Sequence, residues 1–376
     1  MDTQFDIIVS GHLCLDLIPE MAGVTMDAMT VPGHLVETGP ISISTGGAVS
    51  NTGLALHRLG VKVGLMATAG DDLLGQSISA FLRQRDPQLS QLITIQPAQA
   101  SSYSVVLSPQ QSDRIFLHCT GTNSTFGAEY INFAHVGTAQ IFHLGYPPLL
   151  PRLIENDGAE LALIYQKVKA AGVVTSLDMA LPDPNGPSGQ ANWPAILRNT
   201  LPHVDVFLPS IEEILFMLRR SDYDQWEGEV LAHLNRAYLA GLADELLAMG
   251  AQIIGFKLGE MGIYLRTASH LNRFERLKIN LDEWAGVEVW IPAFQTEVIG
   301  TTGAGDAAYA GFLAAMLRGY SPSDCLRWAC AVGACNVEAA DATSGIRTWA
   351  ETQARLDTGW PALATHLPGY PTENSK

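Results

Sequence analysis

The sequence predicts an α/β domain with a mostly parallel central sheet and a small β-rich lid. Three observations predict it. Short β-branched apolar runs alternate with helical patterns along most of the chain, as in linked strand–helix units. Two stretches break that rhythm with residue-by-residue alternation and few helix formers. No repeat, low-complexity tract or long linker divides the 376 residues, a length that allows one large domain or two modest ones.

Residues 5–10 read as a buried strand. Residues 46–59 read as a helix that opens at a glycine pair and closes at Gly60, and residues 61–67 as the next strand. Further buried strands are expected at residues 140–144, 173–178, 204–208 and 253–257. Helical patterns fill residues 161–170, 211–219 and 239–249 between them. The interrupting stretches are residues 24–44 and 92–118, with alternation at 102–107 and 114–118. They suit a small lid inserted into the domain; ordinary surface hairpins are the simpler alternative. The body then comprises residues 1–23, 45–91 and 119–376. Residues 183–189 are a loop by composition, and 221–229 and 270–286 are polar surface insertions.

Composition narrows the function classes. With 38 acidic and 22 basic residues, the net charge is −16, which argues against a nucleic-acid or anionic membrane surface. It leaves nucleotides possible, because backbone amides hold phosphate without net positive charge. The first residues carry no secretory signal pattern, and the apolar run 307–317 is too short to span a bilayer. Five scattered cysteines with no CxxC pair suggest reduced thiols and a cytoplasmic location.

The sharpest motif is residues 297–312, where a β-branched run leads through Gly-Thr-Thr-Gly-Ala-Gly-Asp306 into an apolar helix. Gly303 and Gly305 let backbone amides approach a ligand at a helix N-terminus, the end that favours an anion. Asp306 falls in the first turn, where a carboxylate can take a proton from a hydroxyl while the amides hold a transferring phosphate. Two other readings of the segment stand beside this one. Asp306 can simply serve the helix dipole. Residues 303–308 also match a GxGxxA dinucleotide fingerprint, but that needs a following strand, and Asp324 at the right distance lies in another helical stretch. No GxxxxGK[ST] or GxSxG sequence occurs.

Four weaker motifs accompany it. Gly46 and Gly47 open a helix in which Asn51, one turn in, can bond a polyol. Ser210 and Glu213 follow a buried strand with capping-box spacing, and Glu213 can alternatively face Mg²⁺ and its water shell. Residues 253–265 read as strand, Lys257-Leu-Gly259 turn, strand. Asp16 lies just past the first strand, placed for ligand binding or for capping a loop. Cys325, Cys330 and Cys335, spaced by five on a helix, cannot converge on one metal, and the ten His show no ligand spacing.

In this order the motifs resemble the ribokinase-like (PfkB) carbohydrate kinases, from residue 7 to about residue 347. The resemblance implies a three-layer α/β/α domain with a β-lid, many members pairing through the lid as dimers. It implies ATP-dependent, Mg²⁺-assisted phosphorylation of a hydroxyl on a sugar, or on a nucleoside as in adenosine kinase-type members. Asp306 would be the general base and the amides of Gly303, Ala304 and Gly305 the anion hole. Asp16, Gly46, Gly47 and Asn51 would hold the acceptor. Ser210, Lys257, Gly259 and Thr302 would lie on the nucleotide side, with Glu213 organising the Mg²⁺ water shell. A catalytically weak sugar-binding protein on the same scaffold is a further reading. Three positions depart from the family pattern. Gly300 replaces the Asp that helps arrange the loop and, in some members, a monovalent cation such as K⁺. Ser210 replaces an Asn, and Ala48 stands where ribokinases carry a Lys, so ribose is not favoured over other acceptors.

Overall fold

A computed structural model describes residues 4–110 and 115–370. Arg114, the first residue of one alternating stretch, and both extreme ends of the expected body lie outside the described residues. Thirteen strands occur among the described residues: β1 (Ile7–Gly11), β2 (Cys14–Pro19), β3 (Ile41–Gly46), β4 (Val63–Gly70), β5 (Ile93–Gln96), β6 (Tyr103–Leu107), β7 (Ile115–Cys119), β8 (Ile141–Gly145), β9 (Val174–Asp178), β10 (Val206–Phe207), β11 (Ile253–Lys257), β12 (Ile263–Thr267) and β13 (Glu288–Ile291).

Nine strands form one sheet in the order β13-β12-β11-β10-β9-β8-β1-β4-β5. The run from β11 to β5 is parallel, and β12 and β13 add an antiparallel edge. Alternate residues of a strand point to opposite faces, and the core divides accordingly. Ile7, Val9, Val63 and Leu65 pack with helices Ala48–Arg58, Ala304–Leu317 and Pro322–Asn336 on one face. Ile8, Met66, Phe142 and Leu144 pack with helices Ala159–Ala170, Trp193–Thr200, Ile211–Leu218 and Arg236–Ala248 on the other. This is the expected three-layer arrangement.

The second sheet has the order β3-β2-β6-β7. Two strands differ from the sequence-derived division. β2, expected within the body, pairs with β3 and β6 in the small sheet. β5, expected within the lid, pairs with β4 at the edge of the large sheet. Pairing partners far apart in sequence decide membership, and local alternation carries no trace of them. Strand order reverses beside β1, because the chain runs to β4 on one side and to β8 on the other. Such a switch point, at the carboxyl ends of parallel strands, is where open α/β sheets bind ligands. His12 follows β1 there and Tyr146 follows β8.

Candidate active site

Asp306 lies in the first turn of helix Ala304–Leu317 and is 2% exposed. Gly303 caps that helix in the left-handed region at φ 73°, and a Cβ there would stand 2.6 Å from the Ala342 Cβ, so only glycine fits. Three side chains hold the carboxylate. Asn51 Nδ2 donates to Oδ2 at 3.0 Å, Thr52 Oγ1 to Oδ1 at 3.1 Å and the Tyr146 hydroxyl to Oδ2 at 2.6 Å. Helix Ala48–Arg58 supplies the first two from positions one residue apart. Tyr146 takes a left-handed conformation, φ 66° and ψ 48°, directly before Pro147. Such a backbone costs a non-glycine residue roughly 1–2 kcal/mol, the kind of strain that clusters at functional sites.

A cleft of about 640 Å³ opens beside Asp306 and is lined by Gly303, Ala304, Gly305, Lys257, Ser210 and Glu213, among others. Farther along, Phe294, Cys330, Ala334 and Leu363 make its wall apolar. Lys257 is the one Lys or Arg among the described lining residues. Its ammonium donates to Asp178 Oδ1 at 2.6 Å. Burial pulls the Lys257 pKa down, but Asp178, Glu213 and Asp306 outweigh it and leave the group charged. Burial, with the charges of Glu213 and Asp306, raises Asp178 above the usual carboxylate range despite its lysine.

Several expected site residues behave in more detail than the sequence predicts. The Ala304 N–H already donates to the Thr301 carbonyl at 3.2 Å, so an anion would compete for it. Thr302 does not line the cleft among the described residues; its carbonyl accepts from Asn336, and the neighbouring Thr301 takes the lining place. Ser210 and Glu213 form a complete capping box: the Ser210 N–H donates to Glu213 Oε2 at 2.7 Å and the Glu213 N–H to Ser210 Oγ at 3.2 Å. Both also line the cleft. Gly259 borders the cleft at the turn between β11 and β12. Gly300 packs so closely that a Cβ would stand 2.9 Å from the Ala339 carbonyl oxygen.

Asp16, Gly46, Gly47 and Asn51 do not line that cleft; Gly46 packs on Asp16, the Asn51 N–H donates to the Gly47 carbonyl, and Asn51 reaches Asp306. A Cβ on Gly46 would overlap the Asp16 carboxylate, and one on Gly47 would overlap the His12 ring. Glycine at both positions is therefore a close-approach requirement. Burial raises the Asp16 pKa, and the Cys14 thiol, which donates to its Oδ1 at 3.4 Å, offsets this only in part.

The sequence assigns no role to four residues of this constellation: His12 and Thr52, which lie within the stretches around Asp16 and Asn51, and Tyr146 and Asp178, which lie outside every motif. Asp178 ends a strand the sequence did predict, and its place at the carboxyl end of β9 was an available signal. For Tyr146, no local pattern announces a contact across 160 residues.

The pfkB family carbohydrate kinase profile matches residues 4–349. The chain belongs to that family. This PfkB chain is 23% identical over 356 residues to the 5-dehydro-2-deoxygluconokinase of Shouchella clausii (strain KSM-K16), covering 94% of this chain and 96% of that one. It is 24% identical over 319 residues to the 2-dehydro-3-deoxygluconokinase of Bacillus subtilis (strain 168), covering 84% and 87%. Arabidopsis thaliana ribokinase, solved with ribose and ATP, superposes with a TM-score of 0.71 at 18% identity, covering 94% of this chain and 98% of that one. Xylella fastidiosa fructokinase with bound ATP gives 0.69 at 19%, covering 94% and 99%. These structures share the ribokinase-like fold of this PfkB member.

Proposed function

We propose that the protein transfers the γ-phosphoryl group of ATP to a hydroxyl of a small sugar, with Asp306 as general base. The observation that supports this reading is a buried carboxylate that borders the cleft and accepts a hydrogen bond from Asn51. On one side, helix-start amides and Lys257 meet a cleft of about 640 Å³, room for a nucleotide. On the other, Asp16, Gly46 and Asn51 would hold the acceptor. Asn51, Thr52 and Tyr146 hold Asp306 in one orientation, so an acceptor hydroxyl meets a positioned base. Gly303 and Gly305 amides with the Lys257 ammonium would stabilise charge on the transferring group.

The apolar wall of the cleft suits the flat base of a nucleotide. Among the described residues no three His, Cys, Asp or Glu converge on a metal position. Glu213, which lines the cleft with Glu212, Glu260 and Asp306, fits Mg²⁺ that arrives on phosphate and keeps most of its water. Bound there, the ion would neutralise phosphate charge. At Gly300 no carboxylate is available to arrange K⁺, so the reading includes no K⁺ requirement. The four-stranded sheet acts as the lid, and two copies pair through its outer face. Buried or half-buried cysteines, none in a disulfide, accord with work in the cytoplasm.

An ADP-release assay with ATP and Mg²⁺, run over sugars and nucleosides, tests the reading. Asp306→Asn should lower kcat on the active acceptor by about 10²–10⁴-fold with ATP binding near wild type. Equal turnover by that variant would remove Asp306 as base. Sugar binding measured by calorimetry without ADP release would instead favour a binding protein on the kinase scaffold.

A further inference from the structure

The strand register of the small sheet places a polar row above the switch point. Ser44 pairs with Asp16, Asp16 with Ser104, and Ser104 with His118, so four strands present these side chains on one face. The Ser104 hydroxyl and His118 Nδ1 lie 3.0 Å apart. His12 joins the row from the body: its ring centroid is 5.4 Å from that of His118 and 6.2 Å from that of Tyr146. Tyr146 in turn bonds Asp306. A continuous path of polar side chains thus runs from the proposed base to the lid.

Two features of this path point to a ligand and to its charge. His12 is 2% exposed, and neither ring nitrogen has a hydrogen-bond partner. A buried donor left unpaired is destabilising, and a ligand hydroxyl would relieve it. The second feature is the sign of the field. Among the described residues no Lys or Arg forms an ion pair with Asp16, and the leading influences on Asp16, Cys14 and His12 are each other, Ser104, His118 and backbone. The charges acting most strongly on the Tyr146 hydroxyl are Asp306, Asp178 and Glu213, all acidic. Both imidazoles are held towards the neutral form by burial. Lys257, the nearby cation, is turned to the cleft and tied to Asp178.

We propose that the acceptor is an uncharged polyol, its hydroxyls read by His12 and the Ser44–Asp16–Ser104–His118 row, and that acceptors bearing a carboxylate or phosphate are rejected. This inference rests on the kinase reading above and narrows it. Hydroxyls can donate to Asp16 and exchange bonds with the two serines and two neutral imidazoles. A ligand carboxylate would meet Asp16 and Asp306, neither ion-paired to a Lys or Arg among the described residues and with Lys257 tied to Asp178, and like charges so placed disfavour binding.

The test compares kcat/KM for neutral ketoses, aldoses and cyclitols with that for the corresponding sugar acids and sugar phosphates, with 2-dehydro-3-deoxygluconate among the acids. Wild type should prefer neutral acceptors at least about tenfold. Asp16→Asn should narrow that preference, because it removes one of the two repelling charges. His12→Phe should raise acceptor KM at least about tenfold and leave ATP KM near wild type, which also reports that the variant is folded. Preferred turnover of an acid overturns this inference and leaves the kinase reading intact. An unchanged acceptor KM in His12→Phe overturns the part given to His12. Turnover of no acceptor overturns both readings.

Discussion

Asp16 shows how one buried side chain sets a pH limit. Burial disfavours its charged form and raises its pKa above 3.8, and the Cys14 thiol pulls it back only in part. A raised carboxylate pKa means that the negative charge is lost earlier as pH falls. If Asp16 accepts hydroxyl hydrogens, acceptor KM should rise on acidification, starting at a higher pH than an ordinary aspartate would give. Asp16→Asn should flatten that acid limb of the KM profile, and an unchanged limb in the variant would assign it to another group. Gly46 tests the same contact from the other side. Its φ is not positive, so alanine strains no backbone there, but the added methyl would displace the Asp16 carboxylate. Gly46→Ala should therefore raise acceptor KM by about tenfold or more while the fold's unfolding midpoint shifts little, and steady-state kinetics beside a urea titration would read both. Asp16 and Gly46 were visible in the sequence as separate motifs. Their mutual contact was not, because it arises from the pairing of β2 with β3.

At the scale of elements, the sequence shows what is local. The glycine turn into an apolar helix at residues 300–317, the β11–β12 hairpin and the capping box at Ser210 all sit where spacing predicts them. Helix Leu73–Arg85 went unmarked because only a narrow stripe of it is buried: Gly75, Ile78, Ser79 and Leu82. Its start is nevertheless firmly tied. The Asp72 carboxylate accepts from the Gly75 N–H at 2.8 Å, and from the Ser101 N–H and hydroxyl at 2.8 and 2.6 Å. Ser101 leads into β6, so one aspartate joins a helix of the body to the small sheet. Burial opposes its charge, but the Ser101 and Gly75 bonds prevail, and its pKa falls below 3.8. Asp72→Ala should cost about 1–2 kcal/mol, the loss of a cap with further bonds, read from urea denaturation at pH 7. The sign with pH follows from the depressed value: this stabilisation is complete above the unfolded-state pKa and fades as pH drops through the lower folded one. At pH 7 and pH 5 the difference between variant and wild type should be equal.

For the whole molecule, the two faces of the small sheet divide the work. One face carries the polar row of Asp16 and His118 towards the switch point. The register puts Ile43, Leu17, Val105 and Leu117 side by side on the opposite face. The inner strands of that row are half-buried, but Ile43 and Leu117 on the edge strands are 48% and 55% exposed, and Ile41 beside them is 54% exposed. Edge strands with apolar side chains are ready to pair with another chain, and a monomer normally blunts them with charge. Those two positions carry no charge here, which argues for a second copy of the same sheet as the cover. A self-complementary two-fold contact would bury both edges at once and hold the lid in a fixed relation to the body. The protein should elute as a dimer in size-exclusion chromatography with light scattering, and Ile43→Glu with Leu117→Glu should shift it to monomer. The monomer should keep its ATP KM, since the cleft beside Asp306 is lined by the body alone, while acceptor KM rises as Asp16 and His118 lose their anchored sheet. A wild-type chain that stays monomeric at micromolar concentration would mean that this apolar row is covered in some other way.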